Sequence, residues 1–326
     1  MHPRGDSVGS PGEAHIDATE TPLNDYDALI RRPHSEWPVR DGRRVAYVEF
    51  GDPVGQPTFF FHGLPSSRLA AVPLHAAAER RSIRLIALDR PGYGHSDPSD
   101  ERTLLSWPDD VADVADGLNI ERFSIVSVSA GMPYAAACAL KLGDRLDWVA
   151  APSSAGRVDA PEALEGMSKE ARFLYGVSLK SQRLGKFWMR LLSRTPTSEI
   201  VKRQIQQMSE VDQAILRRPE MRAHREIDLK EAFRQGPGAA MKDGLLHLDD
   251  WGFEAADVEF PIDFWHGEHD RTHPIAWGRL TAASFSNART HVVDDGGFMW
   301  FTDHMDEIFE SVTAASSPDG SVAVAR

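Results

Sequence analysis

Cysteine is nearly absent from this chain of 326 residues, Cys138 being the only one, so an internal disulfide is excluded and a reducing compartment fits. Placed among alanines after residue 131, that single thiol reads as a packed, inert side chain. Long apolar runs are missing too. No stretch approaches the ~20 residues that cross a bilayer, and the N-terminus lacks the basic-then-apolar order of a signal peptide. Positive charge is in deficit, with 36 Lys and Arg against 49 Asp and Glu and a net charge of −13, which argues against nucleic acid or an anionic membrane as partner. No His, Cys, Asp and Glu grouping has metal-ligand spacing, and no glycine-rich phosphate loop follows a strand, so no metal, nucleotide or other cofactor is expected. These absences together predict a soluble cytoplasmic protein, a monomer or homodimer, with no nucleic acid and no membrane partner.

What is present is a globular composition, 41% hydrophobic with eight tryptophans, and a length that suits one large domain with an insertion. Residues 1–33 lack hydrophobic periodicity and read as a flexible tail, as do residues 315–326. Between them, strand patterns at 43–50, 58–61, 83–88, 123–128 and 148–150 alternate with helix patterns at 69–80, 104–118 and 132–142. Such alternation predicts an α/β fold, a mostly parallel sheet flanked by helices. From 156 to 239 the pattern is helical only, with many Arg and Met residues, and marks an insertion. Its Phe173, Tyr175, Phe187, Trp188, Met189 and Met208 read mainly as packing between insertion and core, with a minority lining an apolar pocket. Strands return at 262–266 and 290–293, followed by a closing helix at 305–312. The core is thus 34–155 with 240–314, and the insertion 156–239.

The organising stretch is Phe123 to Tyr134, where a β-branched strand breaks into small residues around Ser127, Ser129 and Gly131 and then enters a helix. Small residues are required there if the backbone bends sharply, because a Cβ two positions from the tip would strike the neighbouring strand or helix. One reading lifts Ser129 above the sheet edge as a nucleophile, with the Ala130 N–H beside it; the plainer one is a serine that caps a helix. The flanking motifs decide between them.

In order along the chain these are His62-Gly63-Leu64 after an apolar strand, Asp89-Arg90-Pro91-Gly92-Tyr93-Gly94-His95-Ser96 after the next, small-x-Ser129-x-Gly131, and Gly267-Glu268-His269-Asp270 after a later strand. From about Val39 to Val312 this order resembles the α/β-hydrolase family, and the helical insertion falls where that family places its cap. The resemblance implies Ser129 as nucleophile, Asp270 as acid, and the N–H groups of Leu64 and Ala130, with Gly63, as oxyanion hole. It implies a loop-organising role for His62 and pocket positions for Met132, Met299 and Trp300.

One position departs from the family pattern. Where the general-base histidine is expected after the last strand, the sequence reads Gly296-Gly297-Phe298-Met299-Trp300. A phenyl ring neither accepts the serine proton nor passes it to a leaving group, and loss of the triad histidine costs on the order of 10⁶ in turnover. His269 and His273, flanking Asp270, are the candidates for a substitute base; His304 reads as a surface or capping residue. The expected function is an enzyme acting on a small apolar carbonyl, ester or lactone compound through its oxyanion hole, by cyclisation, lyase or rearrangement chemistry or by weak hydrolysis. A non-catalytic binder of a small ligand, or an ordinary serine hydrolase inactivated by a His-to-Phe change at 298, are the alternatives.

Overall fold

The computed structural model describes residues 23–154, 181–248 and 250–315, with single positions between 156 and 172. Eight strands form one sheet: β1 (Ser35–Pro38), β2 (Arg44–Gly51), β3 (Gln56–Phe61), β4 (Ile83–Leu88), β5 (Phe123–Ser127), β6 (Leu146–Pro152), β7 (Ile262–Gly267) and β8 (Ala288–Val293), in the order β1-β2-β4-β3-β5-β6-β7-β8. The pairs β1–β2 and β2–β4 are antiparallel, and every pair from β4 across to β8 is parallel.

The parallel strands read as apolar runs because both faces are covered, and the pleat sorts their side chains. On β3, Phe59 and Phe61 join one core cluster while Phe60 joins the other; on β4, Ile86 and Leu88 part in the same way from Ile83, Leu85 and Ala87. The first cluster lies against α3 (Trp107–Gly117) and α4 (Met132–Leu142), with Trp107, Phe123 and Tyr134 among its largest members. The second lies against α1 (Leu23–Ile30), α2 (His75–Arg80) and a C-terminal helix at Phe301–Ala315, through Tyr26, Ala78, Met305 and Phe309. Each fully buried phenylalanine contributes about 2–3 kcal/mol of transfer free energy.

Between β6 and β7 the described elements are all helical: α5 (Gln182–Leu192), α6 (Thr197–Gln207), α7 (Glu210–Arg217), α8 (Pro219–Ala232) and α9 (Gly238–Leu248). Then follow α10 (Ile275–Ala283), between β7 and β8, and α11 (Phe301–Ala315). Phe173 and Tyr175 lie outside the described residues. Phe187 does not pack inward: it is 59% exposed.

One expectation at the N-terminus is overturned. Residues 23–30 are not part of a tail but form α1, whose Tyr26 and Leu29 are buried in the second cluster, Tyr26 edge-on to His224 of α8. Leu23, Tyr26, Leu29 and Ile30 do recur at helical spacing, but over eight residues they make too short a periodic signal to separate from coil. Strand β1 has no clear signature in the sequence either: Ser-Glu-Trp-Pro carries little β-propensity, and its pairing with β2 comes from tertiary placement. Residues 1–22 and 316–326 lie outside the described part.

Candidate active site

The C-terminal ends of β3, β4, β5 and β7 bring the sequence motifs to one edge of the sheet. At the end of β5, Val128 N–H still donates to Phe61 O at 3.0 Å, after which the chain turns at Ser129 with φ +55°. A left-handed serine is strained, and such strain is held only where the surroundings over-determine it. The surroundings here are tight, since a methyl at Gly131 would lie 2.6 Å from Phe61 O. That contact is the physical reason the second position after Ser129 carries no side chain. Ser129 is 8% exposed.

Facing it is the loop after β3. A methyl at Gly63 would stand 3.2 Å from Ser129 Cβ and 3.6 Å from its Oγ, so the backbone of this loop runs directly against the serine. Its orientation is fixed from behind. Arg90, fully buried, donates to the carbonyls of His62 and Gly63, the latter at 3.0 Å, and His62 Nδ1 donates to Gly63 O at 2.9 Å. In a trans peptide the N–H opposes the carbonyl, so drawing the Gly63 oxygen toward Arg90 turns the Leu64 N–H to the other side. Burial, then the Arg90 charge, push the His62 pKa well below its ordinary value. The ring is neutral and organises the loop.

Arg90 is itself held by Asp243 of α9, with Nη2 2.8 Å from Oδ2, and by the faces of Tyr93 and Tyr134 at 5.4 and 4.8 Å. Asp243 also accepts from Tyr134 Oη at 2.8 Å and from Arg102. Burial alone would raise the Asp243 pKa, but the two guanidinium groups outweigh it and hold the carboxyl well below the usual range. One buried carboxylate therefore ties together the loop after β3, the loop after β4, α4 and α9. None of this was visible in the sequence, where Asp243 is one acid in a helix.

Asp270, 4% exposed, follows β7. Its Oδ1 accepts the N–H groups of Thr272 and His273 at 2.7 and 2.8 Å, while its Oδ2 is buried with no hydrogen-bond partner among the described residues. Burial raises the Asp270 pKa well above the ordinary carboxylate value, and the nearby Asp212 charge adds to the effect. Asp212 is the second residue that sequence reasoning missed. It projects from α7 of the insertion, fully buried, and accepts from Met299 N at 2.6 Å and from Phe298 N at 2.9 Å. Gly297 is required for this approach, since a Cβ there would come within 2.4 Å of the Asp212 oxygens. The only sequence signal was Ser209-x-x-Asp212, which reads as a local helix start and does form one, Ser209 Oγ bonding Asp212 Oδ2 at 2.6 Å.

Phe298 is thus fixed at both backbone groups, its carbonyl accepting from Ser153 Oγ at 2.8 Å, and its ring stands edge-on to His273 at 5.3 Å. His273 is 2% exposed; its Nδ1 lies 2.8 Å from Ser153 O, and burial lowers its pKa to about 4. His269 is corrected as a substitute base: its side chain is half exposed and points to Asp295, 3.5 Å away. His304 is exposed and bonded to Glu307. Two pocket expectations also change. Met132 is fully buried in the first core cluster, and Trp300, 2% exposed, packs beside Trp265 in the second, so neither extends an apolar wall to Ser129; Met299 remains partly buried at the edge of that second cluster.

Among the described residues one group, His34, Glu36 and His95, brings possible metal-ligand atoms within 4.8 Å of one another. The two imidazoles are stacked 3.9 Å apart at 19°, so their in-plane lone pairs run nearly parallel and do not converge on one ion.

A family model described as the alpha/beta hydrolase fold matches residues 57–304. No curated protein matches the chain in sequence. Among solved structures, a thermophilic esterase from Thermogutta terrifontis superposes with a TM-score of 0.60 at 21% identity, covering 86% of this chain and 97% of its own. The enol-lactonase from Burkholderia xenovorans LB400 gives 0.61 at 21%, covering 87% and 99%. A bromoperoxidase from Bacillus anthracis gives 0.61 at 17%, also covering 87% and 99%. At these identities the likeness is one of fold.

Proposed function

The chain belongs to the α/β-hydrolase fold family, and from that premise we propose that it is an enzyme acting on a small apolar ester, lactone or other carbonyl compound, without a serine-histidine-aspartate relay. What supports this reading is Asp270, whose Oδ2 is buried with no hydrogen-bond partner among the described residues, together with Phe298, which stands in the sequence where the family pattern carries its base. In a working relay that oxygen would hold an imidazolium, and its carboxylate would be ionised. Here burial favours the protonated acid. The elbow and the Gly63 loop still meet at Ser129, and Arg90 still sets the peptide that would supply the Leu64 N–H. Two N–H donors, from Leu64 and Ala130, polarise a substrate carbonyl oxygen whether or not a base is present. Such a site favours steps in which charge gathers on that oxygen, as in lyase, cyclisation or rearrangement chemistry. Hydrolysis is then slow, and His273, whose ring meets Phe298, is the histidine we assign to assist it.

The test is the intact mass of the protein after exposure to a reactive organophosphonate. Wild type is expected to gain no Ser129-dependent adduct, and Phe298→His to gain one that Ser129→Ala abolishes. Rapid labelling of Ser129 in the wild type would mean that another group activates the serine and would overturn the non-hydrolytic reading.

A further inference from the structure

Helix α5 carries two apolar faces, and only one is used by the fold. Inward, Met189 packs into the cluster of Leu64, Tyr93 and Ala239, and Leu192 against Ile200 and Val201, so the helix roofs the oxyanion loop. Outward, Leu184, Phe187 and Leu191 are 49%, 59% and 47% exposed. Their i, i+3, i+7 spacing sets them in one stripe. Of the six exposed large hydrophobic residues in the described structure, these are three, and the other three are scattered. Scattered ones need no explanation, but a stripe does.

The charge around the stripe is equally distinctive. From residue 181 to 194 there are four cations, Arg183, Lys186, Arg190 and Arg194, and no acid, in a chain whose net charge is −13. All four are exposed. Elsewhere most of the described arginines are paired with acids, as in Arg40 with Asp113, Arg84 with Glu49 or Arg218 with Asp303. None of the four on this segment forms an ion pair among the described residues. On a helical wheel Arg183, Lys186 and Arg190 lie along one side of the apolar stripe, and Arg194 follows just beyond the helix end, so long basic side chains reach headgroups while the stripe enters the acyl boundary.

We propose that the outer face of α5 docks the insertion onto an anionic lipid surface. A second copy of this chain is the poorer occupant, because a two-fold contact would set four unbalanced cations against four. The whole-chain charge, which argued against an anionic surface, acts weakly here, since charges more than about 8 Å away are screened at physiological salt. If the catalytic reading above holds, docking on this face turns the roof of the site toward the bilayer, and the substrate is a membrane-dissolved ester or carbonyl compound. The docking itself does not rest on that reading.

The test is co-sedimentation of the full chain with sucrose-loaded vesicles, phosphatidylcholine alone or with about 30% phosphatidylserine. Partition onto the anionic vesicles is expected to be at least about tenfold higher, and to fall toward the neutral value as salt rises from about 0.05 to 0.5 M. Two variants, Phe187→Ser with Leu191→Ser, and Arg183→Gln with Lys186→Gln, Arg190→Gln and Arg194→Gln, are each expected to lose about tenfold or more. Both change exposed side chains, so an unchanged thermal midpoint is expected, and the salt dependence of the wild type stands apart from either. Equal partition onto neutral and anionic vesicles, or wild-type binding by both variants, overturns the proposal. So does a concentration-dependent dimer, dissolved by the first variant, in a protein that ignores vesicles. Turnover plays no part in this readout, so failure of the catalytic reading and failure of the docking are separately visible.

Discussion

Replacing His273 with asparagine tests the electrostatics of the site through the pH dependence of stability. Three buried histidines lie about Trp277 and Gly278: the ring centroids of His247 and His273 are 6.4 and 5.2 Å from Trp277, and His266 packs on Gly278. Burial lowers their pKa values to about 3 for His247 and about 4 for His266 and His273. An unfolded histidine titrates near 6.5. Below that pH the unfolded chain binds a proton that the folded chain refuses, so the stabilisation is complete above about pH 6.5 and is lost as pH falls toward the folded value. Each pH unit crossed costs about 1.4 kcal/mol per group, so between pH 7.5 and 5 His273 alone removes about 2 kcal/mol. Urea denaturation of wild type and His273→Asn at the two pH values isolates this contribution, because groups common to both proteins cancel in the difference. The variant is expected to lose about 2 kcal/mol less than the wild type on acidification. Identical pH sensitivity in the two proteins would show that His273 protonates without cost in the folded state, and the argument from burial would be wrong.

Asp243→Asn leaves Arg90 and Arg102 buried without their counter-charge, and a loss of about 3–5 kcal/mol in unfolding free energy is expected; a change below about 1 kcal/mol would refute the tie described above. Gly131→Ala forces a Cβ against Phe61 O and should cost about 1–3 kcal/mol in the same assay, whereas Gly42→Ala, with open space around it but φ +86°, should cost about 1 kcal/mol from backbone strain alone. Asp212→Ala strands the N–H groups of Phe298 and Met299 and is expected to lower stability by about 2–3 kcal/mol; hydrogen exchange at those two amides should rise with it, and unchanged protection would refute the latch.

The sequence by itself determined the sheet and the order of its motifs. Short apolar runs such as Ile83–Leu88 and Phe123–Ser127, bounded by turn residues, read as buried parallel strands because they are too short for buried helices, and the small residues at Gly63 and Gly131 mark where backbone must meet backbone. Helix limits were less legible: the segment from 68 to 80 splits at Leu74 into a 3₁₀ and an α part, with Pro73 just before the join. What only the tertiary structure decided are the contacts between residues far apart in the chain. Asp212 meeting Phe298 and Asp243 meeting Arg90 are 86 and 153 residues apart in sequence, and each reads locally as an acid on a helix. A period in sequence reports which face of an element is buried, and says nothing of which distant partner it is buried against. The same limit applies to Phe187, whose apolar character marked it for packing while the fold leaves it facing outward among cations.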